Sequence, residues 1–86
     1  MIVNLTFHND AGHGWLEMPL RLFNGLYIAD KISGYSYIDT FNVYLEEDCD
    51  ASIAISALRD LGFTVTFTEK YTERSPIRNK MRIWGE

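Results

Sequence analysis

The chain predicts an α+β fold: a mostly antiparallel sheet of four to six strands, one main helix over about residues 50–61 packed on one face, and a short helix near 19–24. Three observations carry this. Residues 2–8 and 63–69 alternate apolar and polar side chains, the period of a half-buried strand. Residues 50–62 repeat apolar positions at helical spacing and end on a glycine. Two β-rich runs at 35–38 and 42–46 flank a link of hairpin length.

In chain order, Val3, Leu5 and Phe7 fall on one strand face, with Asn4, Thr6 and His8 on the other. Asn9-Asp10-Ala11-Gly12 then reads as a turn, and glycines on both sides of His13 offer a backbone able to take positive φ. Pro19 suits a first helical position, Leu20, Leu22 and Phe23 supply contacts, and Asn24-Gly25 is a stop signal. Tyr35 to Ile38 and Asn42 to Glu46 form the hairpin around Asp39-Thr40-Phe41. In the main helix Ala51, Ala54, Ile55, Leu58 and Leu61 make one stripe, opposite Ser52, Ser56, Arg59 and Asp60. Asp50 suits its N-cap and Gly62 the left-handed position after its end. Phe63, Val65 and Phe67 point inward in the next strand, and a last short strand covers Met81 to Trp84. The sheet face away from the helix is left partly exposed, which allows homodimerisation.

With 86 residues, the chain reads as one domain over 1–86, able to bury about 60–65% of its unfolded surface. Aromatic residues make up 14%, more than a core of this size needs, so some rings should be exposed for binding. Cys49 is alone, so no internal disulfide is expected; with no signal-peptide pattern and no run long enough to span a bilayer, a cytoplasmic protein without membrane contact is expected. The net charge of −4 is uneven: three basic side chains stand against nine acids in residues 1–68, whereas Lys70, Arg74, Arg78, Lys80 and Arg82 stand against three acids in residues 69–86. The two parts should attract each other or present opposite faces. An acidic chain with one short basic segment argues against nucleic acid as the partner.

Glu46, Glu47, Asp48 and Asp50 crowd the corner between a strand and the main helix, and form the first candidate site. The preferred reading is a capped helix entry with water-facing acids; a partner-binding acidic face and a metal or acid/base site are the alternatives. No EF-hand spacing is present, and His8 and His13 match neither a helical H-E-x-x-H motif nor a zinc pattern, so no metal and no cofactor are expected. His13 reads instead as a cover for Trp15 or a cap on a loop carbonyl. Around Cys49 the helix dipole and four carboxylates act in opposite directions on the thiol. Nucleophile elbows, Walker loops and dinucleotide fingerprints are absent from the sequence. The remaining candidate surface combines Tyr35, Tyr37, Tyr44 and Trp84 with Arg74 and Arg78, the mixture that protein interfaces concentrate.

The runs Gly12-His13-Gly14-Trp15-Leu16-Glu17, Ala29-Asp30-Lys31-Ile32-Ser33 with Tyr35-Ser36-Tyr37, Tyr44 to Ala51, and Ser75-Pro76-Ile77-Arg78-Asn79 resemble a family of short proteins of bacteriophage and mobile-element genomes. That resemblance implies a setting inside a bacterial host, where small phage proteins often bind and block host machinery, defence nucleases among it. The expectation is a protein-binding module that occludes a bacterial protein without catalysis, through Tyr35, Tyr37, Tyr44, Glu46, Glu47, Asp48, Arg74, Arg78 and Trp84. The alternative is a small metal-dependent or acid/base hydrolase using His8, His13 and the acidic corner.

Overall fold

The computed structural model describes residues 1–73 and 75–85. Six strands form one mixed sheet: β1 (Ile2–Asn9), β2 (Gly14–Pro19), β3 (Tyr37–Ile38), β4 (Asn42–Glu46), β5 (Thr64–Tyr71) and β6 (Met81–Arg82), in the order β5-β1-β2-β4-β3-β6. Every neighbouring pair is antiparallel except β1 with β5, which run parallel from Ile2↔Thr64 to Asn9↔Tyr71. The helices α1 (Leu20–Leu26) and α2 (Ala51–Asp60) pack together over one face. There Leu5, Leu16, Met18, Val43, Leu45 and Val65 of the sheet meet Phe23, Ala51, Ala54 and Leu58, all buried.

The main helix forms where its apolar stripe requires it, and its end is chemically explicit. The Gly62 N–H donates to the Arg59 carbonyl at 2.9 Å and the Phe63 N–H to the Leu58 carbonyl at 3.1 Å, with Gly62 at φ 92°. This pair of bonds is a Schellman closure, which requires the left-handed residue that glycine supplies. Leu61 departs from the expected stripe: it sits at the helix end and is 65% exposed. The short helix starts after Pro19 and runs through Gly25 to Leu26, ending on Tyr27 at φ 54°, so the expected stop at Asn24-Gly25 is overrun.

Strand β2 has no counterpart in the sequence reading. Trp15 and Leu16 are both buried although adjacent, because a central strand covered on both faces shows no alternation. The cover on the far face comes from residues 76–80, whose 3₁₀ turn Pro76–Asn79 places buried Ile77 against Trp15, Tyr37 and Tyr44. That face is thus closed over β2, β4 and β3, and remains open toward β1 and β5, where Asn4, Thr66 and Thr68 are exposed. Among the described residues positive φ occurs at Tyr27, Gly62 and Gly85, not around His13. Gly14 serves proximity instead: a Cβ there would stand 2.6 Å from Phe7 Cε1 and 2.9 Å from Asn9 Oδ1. The turn before it is set by Asp10, whose Oδ1 accepts the N–H groups of Gly12 and His13 at 3.0 and 2.9 Å.

Phe67, expected inward, is 41% exposed because β5 is an edge strand, and the last strand is shorter than expected, Met81–Arg82. The hairpin of β3 and β4 forms as expected, Asp39 Oδ1 accepting from the Phe41 and Asn42 amides at 3.0 and 2.9 Å. Tyr35 lies outside β3.

Candidate functional site

On the face away from the helices, three cations lie over three rings. The guanidinium of Arg78 is 5.1 Å from the Trp15 ring centre, the Lys80 ammonium 5.0 Å from that of Tyr44, and the Arg82 guanidinium 4.8 Å from that of Tyr37. Two different local structures supply them: Arg78 comes from the 3₁₀ turn and Lys80 from the extended residue after it, whereas Arg82 belongs to β6 and meets Tyr37 as its cross-strand partner. Carboxylates fix the ladder from outside. Arg78 Nε and Nη2 donate to Asp10 at 2.7 and 3.1 Å, and Lys80 Nζ lies 3.1 Å from Asp39, which also accepts from the Tyr44 hydroxyl at 2.7 Å. The charge segregation of the sequence is therefore met in part by internal attraction, Arg78 with Asp10 and Lys80 with Asp39.

These contacts shift both acids. Arg78, with the Gly12 and His13 amides, holds the Asp10 carboxyl well below the usual carboxylate range. Burial pushes Asp39 up, but the donors Tyr44, Asn42, Lys80 and Phe41 outweigh it and hold it low as well. Burial, then the Asp39 carboxylate, raises the Tyr44 phenol. A group whose pKa is depressed on folding adds stability above its unfolded value, near about pH 4, and loses that contribution as pH falls further. The urea midpoint should therefore decline below about pH 4. The decline should be shallower in D10N and D39N; identical profiles in both variants and the parent would refute the assignment.

A cavity of about 310 Å³ opens on this face, lined by His13, Trp15, Tyr35, Tyr37, Glu46, Asp48, Cys49, Arg78 and Arg82. Trp15 is 2% exposed, stacks with His13 at 6.0 Å between ring centres and meets Tyr37 edge-on at 6.1 Å. Its indole Nε1 is the one buried side-chain polar atom without a hydrogen-bond partner among the described residues. An orphaned buried donor of this kind costs on the order of 1–3 kcal/mol.

The acidic corner divides. Glu47 and Asp48 are exposed, whereas Glu46 and Asp50 are 7% and 1% exposed, so the expectation of water-facing acids holds for two of the four and is corrected for Glu46 and Asp50. Glu46 Oε1 accepts the Asp48 and Cys49 amides at 3.1 and 2.9 Å. Asp50 flanks α2 without capping it by its side chain. Its carboxylate turns to the 33–36 loop instead, accepting from the Ser33 amide at 2.9 Å, the Ser33 hydroxyl at 2.7 Å and the Ser36 hydroxyl. Ser36 Oγ in turn accepts the Glu46 N–H at 2.9 Å, so a buried chain of bonds ties loop, strand and helix together. The Cys49 thiol is exposed, and its pKa is raised by desolvation, then by Glu46, Asp50 and Asp48.

Of the residues proposed from sequence, Tyr35, Tyr37, Glu46, Asp48 and Arg78 come together around this cavity. Tyr37, Tyr44 and Glu46 are buried, so they support the surface rather than present it. Glu47 lies apart, in a separate hollow with Phe7, Ile55 and Phe67. Trp84 is 52% exposed, with its indole N–H donating to the Ile32 carbonyl at 3.0 Å. Arg74 lies outside the described residues. The sequence reading missed Trp15 and Arg82 as lining groups; the alternation of Arg78, Lys80 and Arg82 was the available signal. The two histidines part: His8 Nε2 lies 2.7 Å from Glu17 Oε1, and only His13 lines the cavity. Among the described residues, no three His, Cys, Asp or Glu side chains converge as a metal site would require. No helix among them is long and apolar enough to cross a membrane. Comparison with protein-family models, with curated proteins and with solved structures finds no match to this chain.

Proposed function

We propose that this protein is a non-catalytic binding module that docks on a bacterial host protein through the rim of the Trp15 cavity, occluding the surface it covers. The observation that carries this reading is a pair of exposed rings: Tyr35 at 62%, which lines the cavity with Arg78 and Arg82, and Trp84 at 52%, which sits by Gly34, the chain neighbour of Tyr35. Trp84 is held by its bond to Ile32, and Tyr35 by its amide, which donates to Ser33 Oγ at 3.1 Å. A ring fixed before binding, as that of Trp84 is, loses little conformational freedom on docking, and Tyr, Trp and Arg are the residues that dominate interface energetics. The ion pairs of Arg78 and Lys80 occupy two cations of this face that phosphate would otherwise use, which favours a protein over nucleic acid as the partner. The phage-family resemblance supplies the setting and the host as the source of that partner.

The test is affinity capture from bacterial lysate at low salt, with the parent protein, the Y35A/W84A double variant and a control changed on the far side of α2, S52A/D60N. A stoichiometric partner should be retained by the parent and the control and lost, by at least about tenfold in affinity, from Y35A/W84A. No partner, or equal capture by all three, would reject the reading.

A further inference from the structure

Two donors of the Trp15 cavity keep hydrogen-bonding capacity open, beside the Glu46 and Asp48 carboxylates that also line it. Glu46 Oε1 already accepts two amides of its own loop, and Asp10 takes two bonds from Arg78. By contrast the Trp15 N–H has no acceptor among the described residues, and Arg82 makes only a 3.4 Å contact from Nη1 to the Gly34 carbonyl. Tyr37 joins these two donors, touching Trp15 edge-on and lying beneath the Arg82 guanidinium. Asp48, exposed, and Glu46, buried, both line the cavity, so negative charge is repelled on their side and drawn toward Arg82. Aromatic walls give room for the methylene stem of a short side chain.

From this arrangement we propose that the cavity is a seat for a carboxylate, specifically a Glu or Asp side chain presented by the docked partner protein. The carboxylate takes the fork of Arg82 on one side and the Trp15 indole N–H on the other. That N–H is sealed from solvent, so His13, exposed, stacked on the indole and bonded through Nδ1 to Arg78 Nη2 at 3.0 Å, has to turn aside and give up that bond as the acceptor reaches it. The inference rests on the docking surface proposed above, and assigns the chemistry of its central contact.

The measurement is a ¹H–¹⁵N titration that follows the Trp15 indole resonance, distinguished from that of Trp84 by a W84F variant. The probes are the capped peptide acetyl-Gly-Gly-Glu-Gly-Gly-amide, its Gln counterpart, and acetate. The Glu peptide should shift the Trp15 resonance in a saturable manner with Kd on the order of 1 mM. Binding should be at least about tenfold weaker for the Gln peptide and in R82K, which keeps the charge but loses the planar fork. Saturation by acetate at the affinity of the Glu peptide would retain the carboxylate seat and overturn the side-chain source. Equal shifts by the Glu and Gln peptides, or none up to about tens of millimolar, would overturn the seat itself. Because the titration needs no partner, its failure alongside intact capture by the rim would leave the docking surface standing, and the reverse outcome would do the opposite.

Discussion

Replacing Asp50 with alanine is expected to lower the unfolding free energy by about 3–4 kcal/mol, since bonds to a buried charged group each contribute about 1.5–3 kcal/mol and lone donors remain behind. Asp50 is 1% exposed and accepts three bonds from the 33–36 loop, while Ser36 is fully buried and passes its own bond on from the Glu46 amide. For a domain of this size the loss corresponds to a midpoint lower by roughly 12–30 °C. D50N should be milder, at about 2 kcal/mol, because one amide oxygen still accepts while the amide nitrogen faces donors. Equilibrium urea unfolding measures both. A change under about 1 kcal/mol in D50A would show that the 33–36 loop is held by something else.

Truncating Ile77 to alanine is the second large change, expected to cost about 2–4 kcal/mol. Ile77 is 2% exposed and is the apolar anchor that seats the basic segment on Trp15, Tyr37 and Tyr44. Without it, the stacking of Arg78, Lys80 and Arg82 has no fixed base, and the indole of Trp15 gains access to water. In a W84F background the emission of Trp15 should therefore move to longer wavelength before global unfolding. Lost stability with unchanged emission would mean that the cover stays in place without its anchor.

The sequence discloses this fold where a side chain's surroundings differ between two faces and hides it where they do not. β1 and β5 alternate because one side meets the helices and the other does not, and the stripe of α2 follows the same logic. β2 escapes because Trp15 and Leu16 are both enclosed, and one of the two covers, Ile77, arrives from more than sixty residues away. The candidate site was half legible for the same reason. Tyr35, Arg78 and Trp84 could be named as a surface mixture, but nothing local tells that Tyr44 is closed over by Lys80 or that Glu46 turns to its own loop. Asp50 shows the limit of local rules: its position suits a helix cap, but the Ser33 and Ser36 donors compete for its carboxylate and win.

The parallel pairing of β1 with β5 has a consequence for synthesis. Each residue of the early strand finds its partner 62 positions later, as Ile2 does with Thr64. At about 5–20 residues per second the ribosome needs several seconds to supply that partner. During this interval one flank of β1 carries open N–H and C=O groups, a template for stray pairing with other nascent chains. Translation speed and chaperone supply should accordingly govern the yield of this protein in cells more than its final stability does.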